Sequence, residues 1–157
     1  MFKEIFIIGI GGQGAQSIGD IFMIASRNKN YSASFYPFYG SQMRGGESCC
    51  IVKIDIDGNN ILNPTINMPT DFLVLDSSIY DKYKKYKNVD SKYYEVKGIN
   101  DKNLNLKLLK KFINEDTDGN NNKLFTEEEI IDAIKEKFEK SKACDSKLDY
   151  FKNIIFE

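Results

Sequence analysis

The sequence predicts an α/β fold, a three-layer sandwich of helices around a mostly parallel sheet, from three observations near its start. The apolar run "KEIFIIG" (3–9) has the pattern of a buried strand that ends at a glycine. Apolar residues then recur at helical spacing through 14–28, and "YSASFY" (31–36) alternates as a half-buried strand does. Strand, turn, helix and strand in this order begin a βαβ unit, whose crossover should be right-handed.

The later elements continue this pattern along the chain. We expect a loop at "PFYGSQMRGGES" (37–48), followed by a hairpin in which "CCIVKIDI" (49–56) and "NILN" (60–63) flank the turn signal "DGNN". Ser77 or Ser78 would cap the next helix. The remaining elements are a buried strand at 71–76, a last strand at 93–97, and two amphipathic helices at 102–114 and 126–140.

Size and composition narrow the class of protein. With 157 residues and no long linker, the chain is expected to be one domain over 1–157. Its net charge of −1 gives no electrostatic reason to bind nucleic acid or an anionic membrane. Its three cysteines are too few for a secreted disulfide framework, and the first apolar run is too short for a signal peptide or a membrane span. We therefore expect a soluble, cytoplasmic protein.

The glycine-rich turn "GIGGQG" (9–14) satisfies the G-x-G-x-x-G pattern of a phosphate cradle. Glycines permit positive φ and let the backbone approach a phosphate, and the next helix presents free N–H groups. A dinucleotide site also needs an acid about 20 residues on, at the end of the second strand, but "SFYPFYG" has none. A tight turn for helix packing and a site for another anion remain as alternatives. The candidate binding residues here are Gly11, Gly12, Gln13 and Gly14.

A second glycine-rich loop, "YGSQMRGGES" (39–48), contains one of the two arginines of a chain that otherwise uses lysine. Arginine binds carboxylate or phosphate in a bidentate way that lysine cannot match, so its use here indicates that geometry matters. Loops after the carboxyl ends of strands are where α/β sheets place their sites. An exposed turn or a structural salt bridge is the alternative. The candidate residues in this loop are Tyr39, Arg44, Gly45 and Gly46.

Together, the two loops resemble the gamma subunit of 2-oxoacid:ferredoxin oxidoreductases (the pyruvate, ketoisovalerate and 2-oxoglutarate oxidoreductase gamma family). The resemblance is carried by "GIGGQGAQSIGDIFMIA" and "FYPFYGSQMRGGESCCIVKI" and extends from residue 4 to about 80. That family tends to have G-G-Q-G in the first turn and Y-G-x-x-M-R-G-G in the second loop. Ser41 and Gln42 depart from the Pro-Glu that is common there, and the helical C-terminal part (102–157) is shorter and more polar than in the family.

The resemblance implies a Rossmann-like, non-catalytic gamma subunit of a complex that decarboxylates a 2-oxo acid, forms its acyl-CoA and reduces ferredoxin. Thiamine diphosphate, Mg²⁺ and [4Fe–4S] clusters are then expected on partner subunits of the alpha, beta and delta types. Coenzyme A is expected to contact Gly11–Gly14 and Arg44, with no other cofactor held tightly. The Y-G before M-R-G-G resembles the 2-oxoglutarate or branched-chain type more than the pyruvate type.

The residues themselves offer no catalytic or metal-binding set. There is no histidine, and three cysteines without C-x-x-C spacing do not suit a [4Fe–4S] cluster. Adjacent Cys49 and Cys50 point to opposite faces of a strand and are interpreted as small core residues. The alternative function is a free-standing nucleotide-binding reductase with a Rossmann-type site. An isolated gamma chain, lacking its partners, is also expected to be able to form homodimers.

The loop "DTDGNNNKLFTE" (116–127) invites a calcium-binding interpretation. Its oxygen-bearing residues fall at positions 1, 3, 5, 7 and 12 of a calcium loop, namely Asp116, Asp118, Asn120, Asn122 and Glu127. However, Asn121 replaces the usual glycine and Lys123 the usual aliphatic residue. An asparagine-rich surface loop, with Thr126 and Glu129 forming a capping box for the next helix, is the favoured interpretation.

Overall fold

The structure, a computed structural model, describes residues 1–40, 46–98 and 101–156. Within these ranges, five strands form one sheet in the order β2-β3-β1-β4-β5. The strands are β1 (Phe2–Ile10), β2 (Ser32–Tyr39), β3 (Glu47–Asp55), β4 (Asp71–Val74) and β5 (Lys92–Glu95). The helices of the same ranges are α1 (Ala15–Asn28), α2 (Ser77–Tyr83), α3 (Leu104–Glu115), α4 (Glu127–Phe138) and α5 (Cys144–Asn153), and a 3₁₀ turn (Lys84–Tyr86) follows α2.

The predicted α/β fold is confirmed, and its sheet is mixed. β4 pairs parallel with both β1 and β5, whereas β3 pairs antiparallel with both β1 and β2. The first two strands are therefore not neighbours, because β3 lies between them. The physical reason is the short link from Tyr39 to Glu47. It suits an antiparallel hairpin, whereas a parallel connection needs about a dozen residues or more.

The predicted hairpin around "DGNN" is wrong. β3 ends at Asp55, and 60–63 form no strand. Side chains of the sheet hold this segment in place of a strand ladder. The Lys53 ammonium donates to the Asn63 carbonyl at 2.5 Å, and the Asn67 N–H donates to the Glu4 carboxylate at 2.9 Å.

The predicted N-terminal cap is observed for α4 but not for α2. The predicted capping box of α4 is confirmed, since Thr126 and Glu129 bond to each other's backbone N–H groups. The predicted serine cap of α2 is wrong. Asp76 is the N-cap instead, and its carboxylate accepts from the Ile79 N–H at 3.1 Å. Aspartate accepts such a bond as well as serine does, and it stands one residue earlier.

One helix was not predicted as a separate element. α5 buries only Leu148 and Phe151, so its apolar stripe is too sparse to give a clear helical period. It packs on α3 and α4 within the larger of the two hydrophobic clusters.

Helices cover the two faces of the sheet unequally. Ile5 and Ile7 of β1 face the cluster formed with α1, α3, α4 and α5, whereas Phe6 and Ile8 face the opposite side. On that second side the seven-residue α2 is the helix of the described residues that packs there, together with the 3₁₀ turn and part of the β3–β4 connection. We call this side of the sheet the thin face.

Five charged side chains are buried near the amino ends of β1 and β4, in two groups that lie on opposite faces of the sheet because Lys3 and Glu4 are adjacent in β1. We call them the charge cluster: Lys3, Glu4, Lys53, Asp71 and Asp116. Lys3 Nζ lies 2.6 Å from Asp116 Oδ1 and 3.3 Å from Asp71 Oδ2, and Lys53 Nζ lies 3.2 Å from Glu4 Oε1. Burial lowers the pKa of Lys3, but the nearby carboxylates outweigh burial, so its pKa lies above the ordinary value. The cluster fixes this end of the sheet.

Candidate functional site

The glycine-rich turn lies where β1 ends and α1 begins. Gly12 and Gly14 have φ values of 90° and 86°, in the left-handed region that favours glycine. Gly14 is the N-cap of α1 and contributes no side-chain bond. A Cβ at Gly14 would also lie 2.8 Å from Cγ of Asn105 on α3, so glycine lets the helix approach the turn.

Gln13 fastens the turn to the sheet through both ends of its amide. Its Oε1 accepts from the Ile10 N–H at 2.8 Å, and its Nε2 donates to the Leu75 carbonyl at 3.3 Å. One side chain thus joins the carboxyl ends of β1 and β4. The sequence predicted Gln13 only as a binding residue. The structure shows in addition that its side chain holds the turn against the sheet.

The two glycine-rich loops meet in the structure. The Gly11 N–H donates to the Gly46 carbonyl at 2.8 Å, which joins the first loop to the end of the second. Tyr39 is 69% exposed at the end of β2, beside Gly40, whose N–H donates to the Glu47 carbonyl. The other two predicted residues of this loop, Arg44 and Gly45, lie outside the described residues.

An acidic residue does stand beside the turn, although the sequence argument found none. The neighbour of β1 on this side is the antiparallel β3, which presents its first residue, Glu47, opposite Ile10. The Glu47 carboxylate lies 3.6 Å from Lys82 Nζ of α2, on the thin face. Glu47 follows the second strand in the sequence by eight residues, and it reaches the turn because the order of strands in the sheet differs from their order in the chain.

A cavity of about 280 Å³ opens next to the turn, at the carboxyl ends of the parallel strands. β1 and β4 are neighbours that send their following helices to opposite faces, which is the arrangement at which α/β sheets bind ligands. Leu75, Val96 and Leu104 contribute apolar surface to it. Polar side chains complete the lining, namely Gln13, Asp76, Ser77, Glu95 and Lys97. Asp76 and Glu95 were not among the predicted site residues. Their position at the ends of two predicted strands could have identified them.

Two of the five candidate calcium ligands, Asp116 and Asp118, already have partners in the protein. Asp116 belongs to the charge cluster and is buried against Lys3. The Asp118 carboxylate accepts from the N–H groups of Asn120 and Asn122, and these bonds lower its pKa. Two of the five predicted oxygen ligands are thus committed to the loop and the sheet. The geometry favours the asparagine-rich surface loop.

The cysteines of β3 are core residues, as predicted. Cys49 and Cys50 are fully buried and face opposite sides of the sheet. Burial raises the pKa of the Cys49 thiol to about 12 and that of Cys50 further above its usual range. Neither thiol is therefore a ready nucleophile or metal ligand at neutral pH.

The part of the chain that the structure describes offers neither a cluster of metal ligands nor a membrane-spanning helix. Side chains of His, Cys, Asp and Glu nowhere gather there in groups of three or more that could hold a metal ion. None of the helices in these ranges has both the length and the apolar character needed to cross a membrane.

Comparison with known proteins assigns the fold and the two loops to a family. The model of the family described as "Pyruvate ferredoxin/flavodoxin oxidoreductase" matches residues 4–94, more than half of the chain. The chain belongs to this family. The matched region includes the glycine-rich turn, the second loop, Glu47 and Asp76. The carboxyl ends of β1 and β4 therefore lie within the region that matches the family.

Two curated proteins are similar in sequence to this chain. The ketoisovalerate oxidoreductase subunit VorA of Methanothermobacter thermautotrophicus is 34% identical over 80 residues, which are 51% of this chain and 16% of that protein. VorA of Methanothermobacter marburgensis is 32% identical over 84 residues, which are 52% of this chain and 17% of that protein. The matched region thus spans about a sixth of the length of these relatives.

Three solved structures share the fold. A 2-oxoglutarate:ferredoxin oxidoreductase from Magnetococcus marinus has a TM-score of 0.77 at 13% identity, covering 96% of this chain and 30% of that one. The gamma subunit of a keto/oxoacid ferredoxin oxidoreductase from Geobacter sulfurreducens has a TM-score of 0.67 at 19% identity, covering 96% and 94%. The pyruvate oxidoreductase subunit PORC of Thermotoga maritima has a TM-score of 0.63 at 17% identity, covering 96% and 93%.

Proposed function

We propose that the chain is the gamma-type, non-catalytic subunit of a 2-oxoacid:ferredoxin oxidoreductase. The observation that carries the proposal is the match in extent with the Geobacter gamma subunit, in which 96% of this chain corresponds to 94% of that one. Family membership over residues 4–94 supports the same class of enzyme.

The proposed complex oxidatively decarboxylates a 2-oxo acid, transfers the acyl group to coenzyme A and passes electrons to ferredoxin. Thiamine diphosphate, Mg²⁺ and [4Fe–4S] clusters supply this chemistry from partner subunits of the alpha, beta and delta types. The composition of this chain agrees with that division, since it has no histidine and three cysteines without C-x-x-C spacing. Its own contribution is a surface at the carboxyl ends of β1 and β4.

We further propose that this surface receives the phosphates of coenzyme A. The Gly11 and Gln13 N–H groups are hydrogen bonded within the protein, to Gly46 and Ile10. Of the turn residues, Gly12 and Gly14 are therefore the ones whose amides suit an anion at the start of α1. The solved structure of the Magnetococcus enzyme, part of which shares this fold, has coenzyme A bound. Arg44, four residues after Gly40 in the sequence, would add a bidentate contact.

Substitution of Arg44 by alanine in the assembled complex tests this contact. We expect the KM for coenzyme A to rise roughly tenfold or more, because a charge-assisted bond contributes about 1.5–3 kcal/mol. Arg27→Ala is the matched control, since Arg27 is the other arginine of the chain and is bonded to Glu136 on α4. An unchanged KM would contradict the coenzyme A contact and leave the subunit assignment standing.

The subunit assignment itself is tested by purifying the native complex through a tag on this chain. We expect co-purification of chains that carry thiamine diphosphate and iron–sulfur clusters, and a colourless chain when it is expressed alone. The alternative, a free-standing reductase, requires that the lone chain binds NAD(P) or a flavin and turns over by itself. Calorimetric titration of the lone chain with NADH and with flavin separates the two.

For the 2-oxo acid we propose 2-oxoglutarate, with a branched-chain acid as the rival. The "YGSQMRGG" loop resembles both types, and the curated relatives are ketoisovalerate oxidoreductase subunits. Acyl-CoA formation by the native complex should be compared with 2-oxoglutarate, 2-oxoisovalerate and pyruvate as substrates. A higher kcat/KM for 2-oxoisovalerate would overturn the 2-oxoglutarate assignment and keep the enzyme class.

A further inference from the structure

An apolar groove of about 400 Å³ lies on the thin face, and its lining shares no residue with the glycine-rich turn. Two of its lining residues, Tyr36 and Phe38, belong to β2, and Tyr86 belongs to the 3₁₀ turn after α2. Thr65 and Ile66 of the β3–β4 connection complete it. The groove is therefore built from three separate parts of the chain.

The Phe38 ring at the floor of the groove packs against two aromatic rings beneath it. The Phe38 ring centroid lies 5.7 Å from that of Phe6 and 5.8 Å from that of Tyr83, in edge-to-face geometry with both. Tyr36 stands 6.2 Å from Phe38 and is 40% exposed. A groove with a packed aromatic floor and an exposed aromatic wall offers apolar surface at a small cost in side-chain entropy.

The stretch of chain that contributes Tyr86 to the groove is basic, although the whole chain has a net charge of −1. The stretch "DKYKKYK" (81–87) carries four lysines and one aspartate around the tyrosines. The side chains of Lys82 and Lys84 are each 62% exposed, and Lys85 Nζ lies 5.3 Å from the centre of the Tyr86 ring. Asp81 and Glu47 pair with Lys84 and Lys82, so Lys85 and Lys87 contribute most of the unbalanced positive charge.

β2, which lines the groove, is also an edge strand of the sheet in the described ranges. An edge strand has one row of backbone N–H and C=O groups directed away from its neighbour, and these can pair with an extended segment. Pro37 removes one donor from β2 without closing the edge. Apolar groove, basic stretch and open edge lie next to one another.

We propose that this part of the thin face docks an acidic, extended segment of a partner protein. An aliphatic or proline side chain of the segment fills the groove between Tyr36 and Tyr86, and its carboxylates face Lys85 and Lys87. The charge complementarity favours a peptide, and the mixed lining with Thr65 and Ile66 suits an aliphatic group better than a stacked base. The inference goes beyond the proposed subunit role and does not depend on it.

The test uses a displayed library of random peptides of about twelve residues, selected on the full chain. We expect enriched peptides to be acidic with a proline or aliphatic residue, and to bind more weakly as the salt concentration rises. Their Kd, measured by fluorescence anisotropy, should increase roughly tenfold in Lys85→Glu/Lys87→Glu and in Tyr86→Ala. Lys140→Glu/Lys142→Glu is the matched control, because it makes the same charge change at exposed lysines after α4 and should leave the Kd within about twofold.

Three outcomes would overturn the proposal. One is the absence of any enriched peptide whose binding the groove variants weaken. Another is tighter binding of single-stranded oligothymidylate than of the acidic peptides, which would assign the face to nucleic acid. The third is self-association of the chain that Tyr86→Ala abolishes in sedimentation experiments, which would assign the face to a second copy. Circular dichroism and urea unfolding of each variant confirm that the fold is retained.

Discussion

The two ends of the central strands are held together by different means. At the amino ends of β1 and β4, charged side chains are buried and paired in the charge cluster. At the carboxyl ends, backbone groups of the glycine-rich turn and the amide of Gln13 make the connections. The amino end uses its charges within the protein, whereas the carboxyl end leaves Asp76, Glu95 and Lys97 around an open cavity.

This difference separates stability from binding. A buried cation with two carboxylates is expensive to disturb, because removal of one partner leaves a charge without compensation. A turn made from glycines presents amides and little side-chain bulk, which suits the approach of an anionic ligand. Variants at the amino end should therefore change the free energy of unfolding most, and variants at the carboxyl end should change it less.

The largest expected effect is that of Lys3→Met. Asp71 and Asp116 would stay buried without their cation, and we expect a loss of about 3–5 kcal/mol in the free energy of unfolding. Urea denaturation followed by circular dichroism measures it. Lys111→Met is the matched control, because Lys111 pairs with Glu115 at 3.8 Å on the surface of α3 and should cost less than about 1 kcal/mol.

The pH dependence of stability in the wild type and in Lys3→Met tests whether Lys3 is charged. The pKa of Lys3 is raised above its ordinary value of 10.5, so its stabilisation is fully present below that value and lost as pH rises through the folded-state pKa. The stability difference between the wild type and Lys3→Met should therefore be constant from neutral pH upward and shrink only above 10.5. A difference that shrinks already near neutral pH would contradict the charged Lys3.

At the carboxyl end, Gly14→Ala should be more harmful than Gly12→Ala. Both glycines have positive φ, which costs alanine about 1–2 kcal/mol. Only Gly14 faces a neighbour, since a Cβ there would overlap the Asn105 side chain, whereas no atom lies within 4 Å of one at Gly12. We expect a loss of about 2–4 kcal/mol for Gly14→Ala.

The double variant Gly14→Ala/Asn105→Ala separates overlap from backbone strain. It removes the amide that a new Cβ would meet, so its stability should approach that of Gly12→Ala. Equal losses in Gly12→Ala and Gly14→Ala by urea denaturation would show that α3 does not constrain the turn.

Much of this fold could be predicted from local sequence patterns. Buried runs and periodicity identified β1, α1, β4 and β5, and the Thr126 capping box marked the start of α4. These features depend on neighbouring residues, so a single sequence contains them. The meeting of the two loops through Gly11 and Gly46 could be anticipated only from their joint resemblance to a family.

The parts that were missed depend on residues far apart in the chain. The order of strands is set by which edges pair, and alternation of side chains does not encode it, so β3 was not expected beside β1. Lys3 and Asp116 are 113 positions apart, and nothing local marks either as buried. For the same reason Glu47 and Asp76, which the sheet brings to the turn, were not among the predicted site residues.

Gln13→Ala should have an intermediate effect on the free energy of unfolding. The Ile10 N–H and the Leu75 carbonyl would lose their partner, at a cost of about 1–2 kcal/mol. Gln13→Glu separates the two contacts, since a carboxylate still accepts from Ile10 but has no proton to donate to the Leu75 carbonyl. Faster hydrogen exchange at the Ile10 amide in Gln13→Ala, but not in Gln13→Glu, would locate the effect. Unchanged exchange in both would contradict the bridging role.

The smallest effect concerns the reactivity of the thiols. At pH 8 we expect a thiol reagent such as dithionitrobenzoate to modify Cys144 in the native protein, because Cys49 and Cys50 are buried and burial raises the pKa of Cys49 to about 12. Unfolded protein should react at all three cysteines. In a Cys49→Ala/Cys144→Ala background, the slow reaction of Cys50 reports on the carboxyl end, since its thiol lies 3.6 Å from the Ala15 carbonyl at the start of α1.

That slow reaction can show whether the two ends are independent. Local opening at the turn would expose Cys50 without unfolding the charge cluster, so Gly14→Ala should accelerate its modification more than its loss of stability accounts for. Lys3→Met weakens the far end and should accelerate the reaction only as much as global unfolding predicts. The two variants should be compared at urea concentrations that give them equal stability. Equal modification rates under those conditions would mean that the sheet opens as one unit. The two ends would then differ in their contacts but not in how readily they open.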